Sequence, residues 1–361
     1  MKIRFLMVIF LVSLVQTSFA VTISNLYRAE IILPLVDSEK KLINKAFKQA
    51  IEEVLIKVSG NLDGAMRVMP AAQKSAASWV DQHSITDEDN LMELEGEFYP
   101  VKKVVVNFYA QSINDFLFTN KLAVWGANRP SLLLWIVEQD DFLRQVSGAQ
   151  SPSDLLNLVA RDAALKGLPI YAPLQDDLDK QAVTVSDLWG LFEGPVMAAS
   201  RRYQTDVAGV LKVNKILDEY EANLMVLMPG EEPVKLFVQG LDKEDIAEQV
   251  NAALAKLFSA RYAAVRGQGS AKITMRIDNV TDFKRLDQIQ TYLAKIAVVR
   301  DVYLNSIKAD QVSFSLVLDG GLSKLNNAIA LDSVIEKIEL DALDPDVNFV
   351  QAYRYSGVSD E

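Results

Sequence analysis

"NRPSLLLWIVEQDDF", Asn128–Phe142, decides how the middle of the chain is read. Six apolar residues follow Ser131 without a polar interruption, too few for an ordinary helix and without the alternation of a half-exposed strand. Such a run is a strand buried on both faces, as in a sheet layered between helices. Downstream, Ser153 can cap a helix over Asp154–Lys166 that Gly167 ends. "LPIYAPL" (Leu168–Leu174) then returns as a strand, so a parallel, right-handed crossover is expected. A helical passage through "DLWGLFEGPVMAASRRYQTD" (Asp187–Asp206) leads into the strand "VAGVLKV". "NLMVLM" and "VKLFVQ" flank the turn "PGEEP" as a hairpin, and Ile246, Val250, Ala253, Leu254 and Leu257 mark a closing helix. The expected order is β-α-β-α-β-β-β-α, a central mixed-sheet α/β module over 129–265.

On the amino-terminal side, 21–122 reads as an α+β module. "YRAEIILPL" is a strand. Ile43, Phe47, Ala50, Ile51, Val54 and Val58 recur at helical spacing before Gly60. A second helix is expected from Gly64 to Gln82, then a strand in "VKKVVVNFYA" and a short helix in "SINDFLFTN". On the carboxyl side, "RGQGSAK" supplies a linker over 266–271. The third module, 272–361, reads β-α-β-β-α-β, with its second helix near Leu322–Ile338 and its last strand in "VNFVQAYRY". That is the order of a ferredoxin-like unit.

The first 20 residues have the three parts of a secretory signal: Lys2 and Arg4, an apolar stretch from Phe5 to Val15, and small residues at Ser18 and Ala20. Eleven residues are too few for the roughly 20 that cross a bilayer, so cleavage after Ala20 and release into the periplasm are expected, without stable membrane insertion. The net charge is −11, and −13 without Lys2 and Arg4. No basic stripe is present, which argues against nucleic acid as partner. With no cysteine, there are no disulfides and no cysteine-borne lipid anchor, and burial alone must hold each module.

The chemistry is sparse. His83 is the sole imidazole, placed by its polar neighbours at a helix end, and there is no Gly-x-Ser-x-Gly turn or cysteine nucleophile to go with it. Common zinc sites need several histidines or cysteines. "DPDVNF" (Asp344–Phe349) begins like a calcium loop, but Phe349 stands at the glycine position and Tyr355 at the terminal acid position; "DEDNLM" from Asp87 fails sooner. "GQGSAK" from Gly267 fits neither phosphate-loop pattern. No catalytic, cofactor or metal residue is therefore assigned. Glu138, Asp140 and Asp141 lie beyond the carboxyl end of the central strand, where open α/β sheets bind ligands, yet nothing else converges on them, and a solvated acidic loop is the simpler reading. Arg201 and Arg202 at a helix end are accounted for by the helix dipole. With Tyr203, Trp189 and Phe192 they form the candidate interaction residues, an arginine-aromatic anchor for another protein.

"YRAEIILP", "VLIKVSGN", "LAVWGANRPSLLLWIVEQ", "DLWGLFEGPVMAASRRYQTDVAGVLKV" and the terminal "AYRY" together resemble the bacterial envelope proteins grouped as domain of unknown function 2066. Asn128-Arg129-Pro130 and Ala199–Tyr203 are the most specific parts, and the hairpin after Glu221 lacks the tryptophans expected there. The resemblance implies a compartment and a shape, and no reaction. The middle module is more loosely similar, in element order alone, to envelope docking domains of the Tol translocation protein and of lipoprotein activators of penicillin-binding proteins. The expectation is a periplasmic binding or adaptor protein with an envelope protein as partner. Its rivals are a metal-independent glycan hydrolase using the acids after Trp135 and a small-ligand sensor working through the carboxyl-terminal module.

Overall fold

A computed structural model describes residues 21–266, 270–339 and 351–357. The leader segment, residues 267–269 of the linker and the acidic stretch Asp344–Phe349 lie outside the described residues.

The amino-terminal part comprises β1 (Val21–Thr22), β2 (Arg28–Pro34), α1 (Glu39–Ser59), α2 (Leu62–Trp79), β3 (Val80–Leu94), β4 (Glu97–Phe108) and α3 (Ala110–Thr119). Strands β2, β4 and β3 form an antiparallel sheet in that order. The apolar stripe of α1 packs with Ile31, Val104 and Val106 of the sheet into one core. Asn61 caps α2 by accepting from the Gly64 N–H, but the helix stops at Trp79, short of the expected Gln82. His83 corrects the reading of a polar helix end: it is an exposed residue of edge strand β3, edge-on to Phe47 at 5.2 Å. Alternation in "VDQHSIT" is weak because an edge strand need bury little on either face.

A short β5 (Asn128–Arg129) pairs with β1 and leads into the central part. This contains β6 (Leu132–Asp140), β7 (Leu143–Ser147), α4 (Asp154–Lys166), β8 (Ile170–Tyr171), α5 (Asp177–Ala182), α6 (Val185–Trp189) and α7 (Glu193–Ser200). A 3-10 turn at Arg201–Tyr203 precedes β9 (Val207–Ile216), β10 (Glu219–Leu227), β11 (Val234–Gly240) and α8 (Lys243–Tyr262). The sheet order is β11-β10-β9-β6-β7, with β8 also against β6, and both β8 and β9 run parallel to β6. Residues Leu132–Val137 are fully buried because alternate side chains enter two different cores. Leu132, Leu134 and Ile136 meet α4 and α8, whereas Leu133, Trp135 and Val137 meet α6 and α7. The expected order omitted β7. Its residues "LRQVS" are polar and mostly exposed, so the strand at the sheet edge carries little apolar signal.

The carboxyl-terminal part has β12 (Ser270–Asp278), α9 (Phe283–Lys295), β13 (Val299–Lys308), β14 (Gln311–Asp319), α10 (Leu322–Ala330), β15 (Ile335–Ile338) and β16 (Gln351–Tyr355). The expected helix to Ile338 ends at Ala330, and Ile335–Ile338 is a strand. The ferredoxin-like order is thereby altered. Strand β16 inserts between β12 and β15 and runs parallel to β12, giving β13-β14-β12-β16-β15.

Arg129 ties the amino-terminal and central parts together. Fully buried, its guanidinium donates to five backbone carbonyls: Gly126 (3.1 Å), Lys166 (3.1 Å), Gly167 (2.9 Å), Lys57 (2.7 Å) and Trp125 (3.1 Å). It also stacks 4.0 Å over the Trp125 ring. Lys57 and Lys166 lie in the last turns of α1 and α4, which leave carbonyls unpaired, and each helix ends on a left-handed glycine, Gly60 or Gly167. A Cβ on Gly167 would lie 2.9 Å from the guanidinium, so the glycine also makes room for the arginine. Burial pulls the Arg129 pKa down to about 9, which leaves the group charged at neutral pH and favourably placed against two helix carboxyl ends.

Candidate functional site

Strands β6 and β9 end side by side, with Gln139 beside Asn214, and each turns back through a two-residue hairpin. Asp140 pairs with Leu143 across the turn Asp141–Phe142, and Ile216 pairs with Glu219 across Leu217–Asp218. Strand β11 ends at the same rim, since Gly240 pairs with Tyr220. Among the charged residues of these turns stand four exposed apolar ones: Phe142 is 99% exposed, Leu217 90%, Leu241 71% and Leu143 70%. Large apolar residues at turn positions break the rule that turns are polar, and clustered exposed apolar surface marks a place where something binds. The usable sequence signal was a leucine at the turn of "VNKILDEYEA", between two strands.

The backbone at this rim is strained as well. Leu217 has φ 56° and Asp141 φ 52°, in the left-handed region that costs residues with a Cβ roughly 1–2 kcal/mol. Strain of this kind is retained where a site needs the side chain. Leu217→Gly is expected to stabilise the chain by about 0.5–1 kcal/mol, the relief being partly offset by the freedom glycine gains in the unfolded state. A urea titration measures it; a lower midpoint would contradict the strain argument.

The acids after Trp135 do not assemble a reaction centre. Glu138 pairs with Lys243 at 2.6 Å, and Asp140 and Asp141 form the β6–β7 hairpin end. The carboxamide Nε2 of Gln139 donates to the Asp141 carbonyl and its Oε1 accepts from Arg144.

The five candidate interaction residues fall into two groups. Trp189 lies against the rim, its ring covered by Arg144 and by Lys212, each 4.3 Å from the ring centroid. Arg144 thus joins Trp189 to the Phe142 hairpin, and Phe192, 56% exposed, packs beside Gly190 next to it. Arg201, Arg202 and Tyr203 lie at the other end of α7, before β9. Arg202 grips Asp176 in a two-pronged pair (2.7 and 2.7 Å) and reaches Asp179 at 3.0 Å. The Tyr203 hydroxyl donates to Asp179 (2.5 Å) and accepts from the Leu174 N–H (2.8 Å). Asp179 is fully buried and also accepts from the Gln175 N–H. Arg202 draws the Asp176 carboxyl down to about 2, and burial pushes the Tyr203 hydroxyl up to about 12. Arg202 and Tyr203 therefore spend their polar groups inside the chain, fastening α5 to the start of β9. Arg201 is exposed.

A cleft of about 1360 Å³ lies where β5 and α3 meet α9, lined among others by Tyr27, Phe118, Asn128, Tyr292, Arg300 and Asp332. Asp332 accepts from Tyr292 (2.7 Å) and Asn128 (3.0 Å), and burial raises its pKa to about 6. A carboxyl raised in the folded state stabilises the fold below its ordinary value and loses that contribution as pH rises through about 6. Stability is therefore expected to fall between about pH 4 and 6 at this group, by at most about 3 kcal/mol from the shift. Asp332→Asn should flatten this dependence in urea titrations at the two pH values, and an unchanged slope would refute the assignment.

Among the described residues there is no group of three or more histidines, cysteines or acids that could hold a metal ion. Nor, among them, is any helix long and apolar enough to cross a membrane.

Residues 20–126 match the family described as Domain of unknown function (DUF8605), where domain of unknown function 2066 was the expected resemblance. No curated protein matches the chain. Among solved structures, the LpoB C-terminal domain from Salmonella enterica aligns at 12% identity with a TM-score of 0.22, covering 30% of this chain and 83% of that domain.

Proposed function

We propose that the chain is a binding protein, an adaptor exported to the periplasm, and that the apolar rim of its central sheet is where it grips a protein partner in the bacterial envelope. The observation that carries this reading is the alignment of Phe142, Leu143, Leu217 and Leu241 along one sheet end, continuous through Arg144 with Trp189. Aromatic residues flanked by arginine are the composition of binding hot spots. The signal-like leader and the resemblance to exported proteins of domain of unknown function 2066 support the compartment. The glycan-hydrolase alternative is weakened by the Glu138–Lys243 pair, which occupies the least exposed of the three acids.

The test is cross-linking in cells followed by affinity purification, with Phe142→Ser and Leu217→Ser beside the parent chain. A reproducible envelope partner lost in both variants is expected, with export shown by a mature amino terminus at Val21. Turnover of muropeptides, phosphoesters or peptides by the purified chain, abolished by Asp140→Asn or Asp141→Asn, would replace the adaptor with an enzyme.

A further inference from the structure

The hairpin of β3 and β4 outgrows its own sheet. Strand β2 ends where Pro34 pairs with Val101, yet β3 and β4 remain paired from Glu88–Val101 to Leu94–Glu97. At 3.4 Å per residue, the arm extends about 17 Å beyond the last β2 contact. None of the apolar cores includes a residue between Thr86 and Pro100. Its side-chain contacts stay within the hairpin, Asp87 with Lys102 across its base and Tyr99 donating to Glu97 at 2.5 Å, and at the root the Leu35 N–H donates to the Pro100 carbonyl at 2.8 Å.

Two properties of this arm stand out. Leu91 and Phe98 are each 64% exposed, and the pairs Leu91–Pro100 and Glu93–Phe98 put both on one face, since side chains repeat every second residue. Glu88, Asp89, Glu93, Glu95 and Glu97 surround them, and no lysine, arginine or histidine occurs from Glu88 to Val101. Charges on an edge strand commonly serve to block edge-to-edge aggregation. That role accounts for the acids and leaves the exposed Leu91 and Phe98 unexplained, because apolar residues would invite the contact the acids prevent.

We propose that this arm is a second docking element, independent of the central rim, and that its occupant is a partner-protein segment in which lysine or arginine residues are interspersed with apolar ones. Leu91 and Phe98 are its apolar anchors, and the surrounding carboxylates select the cationic segment. A second copy of the chain would bring like-charged arms together at a net charge of −11 per copy, and anionic lipid headgroups would be repelled in the same way.

The probe is a labelled decapeptide alternating lysine and leucine, titrated with the purified full chain by fluorescence anisotropy. An all-lysine decapeptide and a glutamate-leucine decapeptide serve as controls. The lysine-leucine peptide is expected to bind at least about tenfold more tightly than either control and to weaken as salt is raised. Leu91→Ser with Phe98→Ser, and separately Glu93→Lys with Glu95→Lys and Glu97→Lys, should each weaken binding about tenfold while circular dichroism melting is unchanged. Phe142→Ser and Leu217→Ser should leave it untouched, which separates this proposal from the fate of the rim. Absent binding, equal affinity for the arm variants, or loss of binding in the rim variants overturns it. So does a dimer abolished by Leu91→Ser with Phe98→Ser, which would make the occupant a second copy. Arm-dependent sedimentation with phosphatidylglycerol vesicles would make it a lipid surface and overturns it too.

Discussion

Arg129→Met is expected to leave little folded protein at 37 °C. The substitution keeps much of the side chain's bulk and removes the arginine's donors from the carbonyls of Lys57, Trp125, Lys166 and Gly167, all buried, and from the part-buried carbonyl of Gly126. An orphaned buried polar group costs about 1–3 kcal/mol, so even with partial relaxation the loss should reach about 5 kcal/mol or more. That is a large part of the roughly 5–15 kcal/mol by which folded chains are stable. Because α1 and α4 belong to different parts of the chain, both should lose protection against proteolysis together. Arg129→Lys should recover only a fraction, as an ammonium has three donors and cannot reproduce the planar fork. A methionine variant melting within a few degrees of the parent would show that the arginine is dispensable.

Asp179→Ala should cost about 3 kcal/mol, at the lower end of what breaking a buried ion pair costs, because Arg202 keeps its two-pronged contact with Asp176. The loss falls mainly on the Tyr203 hydroxyl and the Gln175 N–H, which share Oδ2 of Asp179. Tyr203→Phe alone should cost about 1 kcal/mol. The double variant should lose less than the two separately, since the tyrosine no longer needs the acceptor. Urea midpoints for the four proteins measure the coupling; strict additivity would mean that the two residues do not act together.

The central strand was legible from its residues because Leu132–Val137 is apolar at every position, a pattern that only burial on two faces produces. The helix over Asp154–Lys166 was legible for the same kind of local reason: Ser153 accepts from the Leu156 N–H and Gly167 adopts the left-handed cap. Edge strands were not. Strands β3, β7 and β15 bury few side chains, so their apolar signal is faint and "SITDEDN" or "LRQVS" reads as loop. Among the candidate residues, Trp189 and Phe192 lie beside the rim that the acids after Trp135 pointed toward, whereas Arg202 and Tyr203 are engaged by Asp176 and Asp179 of the same chain. Nothing near them in sequence foretold the partners Asp176 and Asp179, more than 20 residues away.

The amino-acid order by itself therefore determined a mixed α and β chain, a doubly buried central strand and the lack of cysteine with only one histidine, since each follows from periodicity, capping or composition. Only the tertiary structure decided that Arg129 caps two helices at once, that the turns of β6 and β9 bring Phe142 and Leu217 to one rim, and that β3 and β4 project past their sheet. Those features depend on which strands lie side by side, and strand pairing is set by contacts between residues far apart in the chain.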